Sequence, residues 1–331
     1  RLNKHQLKSL SAVKQRGRLK LNTQLALIAN PVAGGGKWKT YKEEILSHLN
    51  SQFRVTIYET TPELDATWQA HQSIKAGNEI LIACGGDGTV TEVATVTREH
   101  QKVLGIIPLG TANALSQIVY GLRSKLAPIT RACEVICEQQ YTPVDTAECN
   151  GKLMLLVSAI GFESQMIEHA DREEKNNGGQ MAYLEGLWKA MNTSNPQKLQ
   201  VTLDDESFEL DTPSFVIANA APLSTALAQG GDLPDMTDGE LDITWLTPTE
   251  DDMPLFTVAE LVFGNEQSKK SSQIIHHKRA KQVSIKLPEE QTYVIDGETY
   301  TTSEITVKCQ ARNLNILADS KRFDESYEVS D

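Results

Sequence analysis

Between residues 22 and 110 short apolar runs alternate with stretches of helical periodicity, and this alternation constrains the fold more than any other feature of the chain. The runs are 24–29, 53–58, 79–83 and 103–107, each of strand length. Between them, 38–49, 63–75 and 90–98 carry apolar residues at helical spacing. A strand whose successor is reached through a helix lies parallel to it, because the crossover returns the chain to the same end of the sheet. The pattern therefore predicts a parallel sheet covered by helices on both faces, with any ligand bound at the carboxyl ends of its strands.

Past a further helix at 124–139 the period shortens. Runs at 153–159, 199–203, 214–218, 241–246, 282–287, 292–295 and 304–308 are separated by turn signals such as Asp204-Asp205 and Asp296-Gly297. That half is predicted as a mostly antiparallel β-sandwich, with a helix inserted at 178–191. The domains expected are a basic helical extension over 1–21, an α/β domain over 22–140 and a sandwich over 141–331, whose last strand has room to return to the α/β domain.

With 331 residues, 40% hydrophobic and 23% charged, the composition is that of a globular protein long enough for two domains. No run approaches the ~18 apolar residues of a bilayer-spanning helix, and the polar start shows no apolar signal segment, so a soluble cytoplasmic protein is expected. A net charge of -12 argues against a nucleic-acid partner and removes any simple attraction to anionic lipid. Cys84, Cys133, Cys137, Cys149 and Cys309 are odd in number and scattered, and read as reduced thiols rather than metal ligands.

Chemistry concentrates in three loops that follow strand runs. Gly85-Gly86-Asp87-Gly88-Thr89 is the strongest signal: its glycines let the backbone turn and approach a ligand, and amides at a helix start attract phosphate. Asp87 would repel that phosphate unless a metal ion stands between them, which makes it a candidate for handling Mg²⁺; a helix cap in a tight turn is the plain alternative. Thr89 and Glu92, three apart, fit a capping box as well as a nucleotide contact. The second loop, Asn30 to Lys37 with Gly34, Gly35 and Gly36, has the physics of a phosphate loop. It carries Trp38 where a Walker sequence needs Ser or Thr, and neither loop completes a dinucleotide Gly-x-Gly-x-x-Gly. The third, Pro108 to Asn113, adds Gly110, the Thr111 hydroxyl and the Asn113 amide. Three such loops at successive strand ends would converge on one ligand. Far along the chain, Asp296-Gly297 reads as a type I′ hairpin turn, and Asp232, Asp235 and Asp238 form an acidic loop before Gly239.

Taken in order, Asn30-Pro31 with Gly36-Lys37, Thr60 ahead of Asp65-Ala66, Gly85 to Thr89, Pro108 to Asn113, Gly161-Phe162, Asp238-Gly239 and Asp296-Gly297-Glu298 resemble the motifs of the diacylglycerol kinase and sphingosine kinase family of lipid kinases. The resemblance runs from about residue 24 to 317, and the central loop is shared with NAD kinases and phosphofructokinases. It implies ATP held by Asn30, Gly36, Lys37, Thr60, Gly85, Gly86, Gly88, Thr89 and Thr111, with Glu92, Gly110 and Asn113 beside them. It implies Asp87 and Glu298 at the reaction centre, joined through Mg²⁺ and water in a cleft between the domains, and a structural Mg²⁺ at Asp235 and Asp238. The acceptor would be the hydroxyl of a lipid at the inner membrane face, met peripherally by the sandwich, with no nucleic acid involved; a homodimer is left open. Ile160, Phe162, Met166, Leu184, Leu187 and Trp188 could line an acyl pocket or simply pack a core. Two departures bear on the acceptor. Ala114 stands where diacylglycerol kinases usually carry Asp, and Thr91 where Asn is common. The alternatives are an NAD kinase-like small-molecule kinase, although the Asn-Glu pair that NAD kinases typically show after the third strand-loop is absent here, and a non-catalytic nucleotide or lipid sensor of the same fold, suggested by Ala114.

Overall fold

The structure, a computed structural model, describes residues 17–18, 23–121, 127–161, 196–221, 234–247 and 274–319. It divides into two compact units, 1–144 with 312–331 and 145–311. In the first, β1 (Gly17–Arg18) pairs antiparallel with Tyr141 and Gln140. These two residues are thus extended where a helical extension was expected over 1–21, and the rest of that stretch lies outside the described residues. The sheet proper contains β2 (Gln24–Ala29), β3 (Arg54–Glu59), β4 (Ile80–Gly85) and β5 (Val103–Pro108), all parallel, in the order β5-β4-β2-β3. Every residue of β4 and β5 is buried, as expected of parallel strands covered on both faces, whereas edge strand β3 is largely half-exposed.

The helices are α1 (Lys37–Leu49), α2 (Ala66–Lys75), α3 (Asp87–Glu99), α4 (Ala114–Tyr120) and α5 (Pro128–Glu138). Local chemistry sets their starts: Asp65 caps α2 by accepting the Trp68 amide at 2.7 Å, and Pro128 opens α5 at the position where a missing N–H costs nothing. From β2 the chain steps outward to β3, then crosses back to β4 and on to β5. Right-handed crossovers therefore put α1 on one face and both α2 and α3 on the other. The packing agrees, with α1 against α5 and α2 against α3. The reversal between β2 and β4 is a topological switch point, where open α/β sheets bind ligands.

β5 has an unusual second neighbour. At Val103 and Leu104 it pairs in parallel with Asn315 and Ile316, near the end of the last strand. Farther along, the buried Tyr120 hydroxyl takes over, accepting from the Ile106 amide and donating to the Ile106 carbonyl, both at 2.9 Å.

The second unit is built from antiparallel strands. They are β6 (Gln140–Cys149), β7 (Lys152–Met154), β8 (Val157–Gly161), β9 (Gln197–Leu203), β10 (Glu206–Thr212), β11 (Ser214–Ala218), β12 (Leu241–Leu246), β13 (Ile275–Ala280), β14 (Gln282–Ile295) and β15 (Glu298–Leu317). β14 pairs with β9 through Val283–Lys286, shifts register before Gln291, and then pairs with β8 through Tyr293–Ile295. A strand that bends at an irregularity to serve two sheets makes the corner of a sandwich. Between the sheets lie Met154, Leu199, Val201, Phe215, Ile217, Ile243, Val283 and Ile305, all nearly inaccessible. At about 1.5–3 kcal/mol for each large side chain, this burial is the main force holding the unit.

The run at 153–159 is not the single strand its hydrophobicity predicts. It breaks into β7 and β8 because the Asp296 carboxylate takes the amides of Leu155, Leu156 and Val157, at 2.6, 2.9 and 2.9 Å. The region 178–191 and Phe162, Met166, Leu184, Leu187 and Trp188 lie outside the described residues, while Ile160 is a core residue at 1% exposure.

Candidate functional site

At the carboxyl ends of β2, β4 and β5 the three loops are in contact. The Asn30 amide donates to the Cys84 carbonyl at 2.9 Å, and the Asn30 side chain reaches Thr89 Oγ1 at 3.4 Å. Leu109 N and Gly110 N both donate to the Gly85 carbonyl. Two close approaches explain the glycines. A Cβ on Gly34, which has φ +57°, would stand 1.9 Å from the Leu109 carbonyl oxygen, and one on Gly110 would stand 2.5 Å from Gly86 Cα. Lys37, first residue of α1, lays its ammonium 3.2 Å from the Gly110 carbonyl, which also accepts from Asn113 Nδ2 at 3.0 Å.

Helix α3 begins at Asp87, with Gly86 as the residue before it, and its first internal bond runs from Val90 N to Gly86 O. The amides of Asp87, Gly88 and Thr89 therefore belong to the first turn, where helix geometry supplies no acceptor and the dipole favours an anion. The Asp87 carboxylate accepts the Ala114 amide at 2.8 Å. Across from it Asn113 adopts a left-handed φ of 50°, and its buried Oδ1 has no hydrogen-bond partner among the described residues.

Of the predicted residues, Asn30, Lys37, Gly85, Gly86, Asp87, Thr89, Gly110 and Asn113 are thus joined directly by contacts. Gly36 is the left-handed residue that opens α1, and Gly88 is exposed in the first turn of α3. Thr60 N donates to the Ala29 carbonyl, placing Thr60 at the end of β3 next to β2, and Thr111 is exposed on the third loop. Glu92 faces elsewhere: its carboxylate accepts the amides of Ala66 and Thr67 at 2.9 and 3.2 Å, closing the start of α2. The capping box is corrected accordingly, since Thr89 stands inside α3 rather than at its cap. The residues fit a nucleotide triphosphate with Mg²⁺: a side-chain-free cradle, first-turn amides and an ammonium suit phosphate. One carboxylate, Asp87, is also what Mg²⁺ uses when substrate phosphates supply its other ligands. A groove of this unit, about 550 Å³, lies at the far end of α1 beside His48, Gln52 and Arg131, away from these loops.

In the second unit Asp296 and Gly297 have φ of 49° and 93°, the two positive values a type I′ turn requires. Glu298 follows, exposed, and its carboxylate accepts the Tyr300 hydroxyl. Burial, reinforced by Glu298, pushes that phenol up to about 12. Sequence reasoning passed over Tyr300, although two residues apart on a strand means the same face.

The acidic loop is internally bonded. Asp235 Oδ1 accepts from the amide and hydroxyl of Thr237, and Asp238 Oδ1 accepts the Glu240 amide while Oδ2 lies 3.3 Å from Arg279. Burial pushes the Asp238 carboxyl up to about 6; the Glu240 amide and Arg279 oppose this, and Asp235 and Asp242 add to it. Asp145, fully buried, accepts the Gly239 amide at 2.7 Å; its only sequence signal was an acid inside an apolar run. Among the described residues no group of three or more His, Cys, Asp or Glu side chains is arranged to hold a metal ion, and Asp232 lies outside them.

Residues 24–149 match the family model of the diacylglycerol kinase catalytic domain, and 156–318 that of the YegS C-terminal NAD kinase beta sandwich-like domain. An uncharacterised protein of Synechocystis is 36% identical over 88% of this chain and 69% of its own length. A diacylglycerol kinase of Staphylococcus saprophyticus is 26% identical over 82% and 88%. A crystal structure of a diacylglycerol kinase from Bacillus anthracis covers 92% of this chain and 99% of its own, with a TM-score of 0.67 at 21% identity, which shows a common fold.

Proposed function

The chain belongs to the diacylglycerol kinase family of lipid kinases, with the YegS type of C-terminal domain, and on that premise we propose that it transfers the terminal phosphate of ATP to a hydroxyl group of a membrane lipid. The observation that carries this reading is the convergence of three glycine-bearing loops at the switch point between β2 and β4. In this reading the first-turn amides of α3 and the Lys37 ammonium hold the phosphates, and Thr60 and Thr111 border the nucleotide. Bound Mg²⁺ would offset the charge on the phosphates, with Asp87 as its protein ligand. The Ala114 amide, donated to Asp87, keeps that carboxylate turned toward the loop even though no Asp stands at 114.

In the transfer a bond forms between the acceptor oxygen and the γ-phosphorus, the bond to the bridging oxygen breaks, and ADP leaves with that electron pair. The acceptor's proton goes to a carboxylate, which we assign to Glu298 first and Asp87 second. No helix among the described residues is long and apolar enough to cross a membrane, so a peripheral approach at the inner membrane face fits a lipid acceptor.

The test is radiolabelled ATP with diacylglycerol, monoacylglycerol, phosphatidylglycerol, sphingosine and ceramide in mixed micelles. One of these lipids should become labelled; ATP binding without labelling of any lipid overturns the proposal. Glu298→Gln should lower kcat by about two to four orders of magnitude at nearly unchanged ATP affinity, and Asp87→Asn should weaken Mg²⁺-dependent ATP binding as well.

A further inference from the structure

Glu298 lies exposed just past a tight turn, and an exposed glutamate samples many rotamers. A base with that freedom would spend little time aimed at a hydroxyl. Yet in the second unit it is held, and the residue that holds it is itself fixed from two sides. Tyr300 stands on the same face of β15 and donates its hydroxyl to Glu298 Oε2. Its ring packs against Tyr293, its cross-strand partner, with centroids 5.8 Å apart. The Lys152 ammonium sits 4.6 Å from the centre of the same ring. Tyr293 is tied in turn by Asn150, whose Nδ2 donates to the Tyr293 hydroxyl at 3.2 Å and whose Oδ1 accepts the Thr306 amide at 2.8 Å. On the other side of Glu298 the turn is locked by Asp296 and its three amide bonds.

We propose that Tyr300 is a positioning residue for the phosphoryl transfer, fixing the Glu298 carboxylate through one oxygen so that the other is presented to the acceptor hydroxyl. The proposal rests on Glu298 as the base. Tyr300 takes no proton in the step: the acceptor's proton passes to the second carboxylate oxygen while the phenol keeps its own. That phenol stays protonated throughout the working range, since burial and Glu298 together push it up to about 12. The arrangement is a short relay of orientation, from Asn150 through Tyr293 and Tyr300 to Glu298, with the Lys152 ammonium over the Tyr300 ring and Asp296 in the turn before Glu298.

Tyr300→Phe removes only the hydroxyl and keeps the ring between Tyr293 and Lys152, so the fold should survive, which a melting curve checks. Wild type, Tyr300→Phe, Glu298→Gln and the double variant are compared for kcat and for KM of ATP and lipid. Tyr300→Phe should lower kcat about 10- to 100-fold, the range expected of a misaimed group, with KM for ATP within about twofold. In the Glu298→Gln background the same change should cost nothing further, because there is no base left to aim. A merely structural role would cost the same in both backgrounds, and that result overturns the proposal. Full kcat in Tyr300→Phe with Glu298→Gln impaired overturns the positioning role alone. Normal turnover by Glu298→Gln removes the base assignment, and the proposal with it.

Discussion

Gly110→Ala puts the loop contact to a direct test. The new Cβ would stand 2.5 Å from Gly86 Cα and 2.9 Å from Asn113 Oδ1, against 3.4–4 Å for an ordinary contact, so the two loops must part by about an ångström. Both opposing groups are held, one by backbone and the other by its bond to the Gly110 carbonyl, and neither can swing aside cheaply. Overpacking of this kind costs about 1–3 kcal/mol. Restricting the unfolded chain returns about 0.4–1 kcal/mol, leaving a net loss on the order of 1 kcal/mol and a melting point lower by a few degrees. The larger effect falls on the site, where a shift of about an ångström can cost up to about 100-fold. Titration calorimetry with a non-hydrolysable ATP analogue should show affinity weakened at least about tenfold. Gly88→Ala is the matched control. Beyond its chain neighbours and the backbone of its own helix, no described atom lies within 4 Å of its added methyl, and inside the first turn of α3 alanine favours the helix by up to about 1 kcal/mol. That variant should melt no lower than wild type and still bind ATP poorly, because the methyl occupies the phosphate's approach. Wild-type stability and affinity in Gly110→Ala would refute the packed-loop argument, and normal ATP binding by Gly88→Ala would refute the phosphate position.

Asp238 gives a pH dependence with a definite sign. Its folded-state value of about 6 lies above the ordinary 3.8, so the folded chain holds this proton more tightly than the unfolded one. The resulting stability is complete below the ordinary value and is lost as pH rises through about 6. In chelator the wild-type melting temperature should therefore fall, relative to Asp238→Asn, between about pH 4 and 7; parallel curves would count against it. Tyr120→Phe should leave the Ile106 amide and carbonyl both unsatisfied in the core, at about 1–3 kcal/mol each. Urea unfolding that shows a loss under about 1 kcal/mol would mean the hydroxyl is not the strand neighbour it resembles.

The α/β half was legible because its strands are buried on both faces and its helices on one, so period and burial agree: 24–29 and 37–49 fall almost where the pattern puts them. The glycine loops were legible for a related reason, since close backbone approach excludes every other residue. β13 was missed because Ile-His-His-Lys-Arg-Ala is a sheet edge whose polar side chains find partners in Asp242 and Glu206, which no local pattern reveals. The break between β7 and β8 depends on Asp296, some 140 residues later. Glu92 shows the same limit from the other side: its spacing from Thr89 suggested a cap on its own helix, and its carboxylate caps a neighbouring one. Local sequence reports what a residue can do for its own element, and long-range pairs lie beyond it.

β15 begins at Glu298 in the second unit and ends in the first, where Asn315 and Ile316 flank Val103 and Leu104. The first unit is thus assembled from two pieces of chain with the whole of the other unit translated between them. On the ribosome, β5 would have to wait with part of an apolar edge open until residues 315 and 316 emerge, and an open edge invites pairing with the wrong chain. Tyr120 follows Ile106 by 14 residues, far sooner than residue 315, and can satisfy it early, which shortens the stretch left waiting to Val103 and Leu104. A nascent chain halted after residue 113 and before residue 315 would carry all three glycine loops and an unfinished sheet to hold them on.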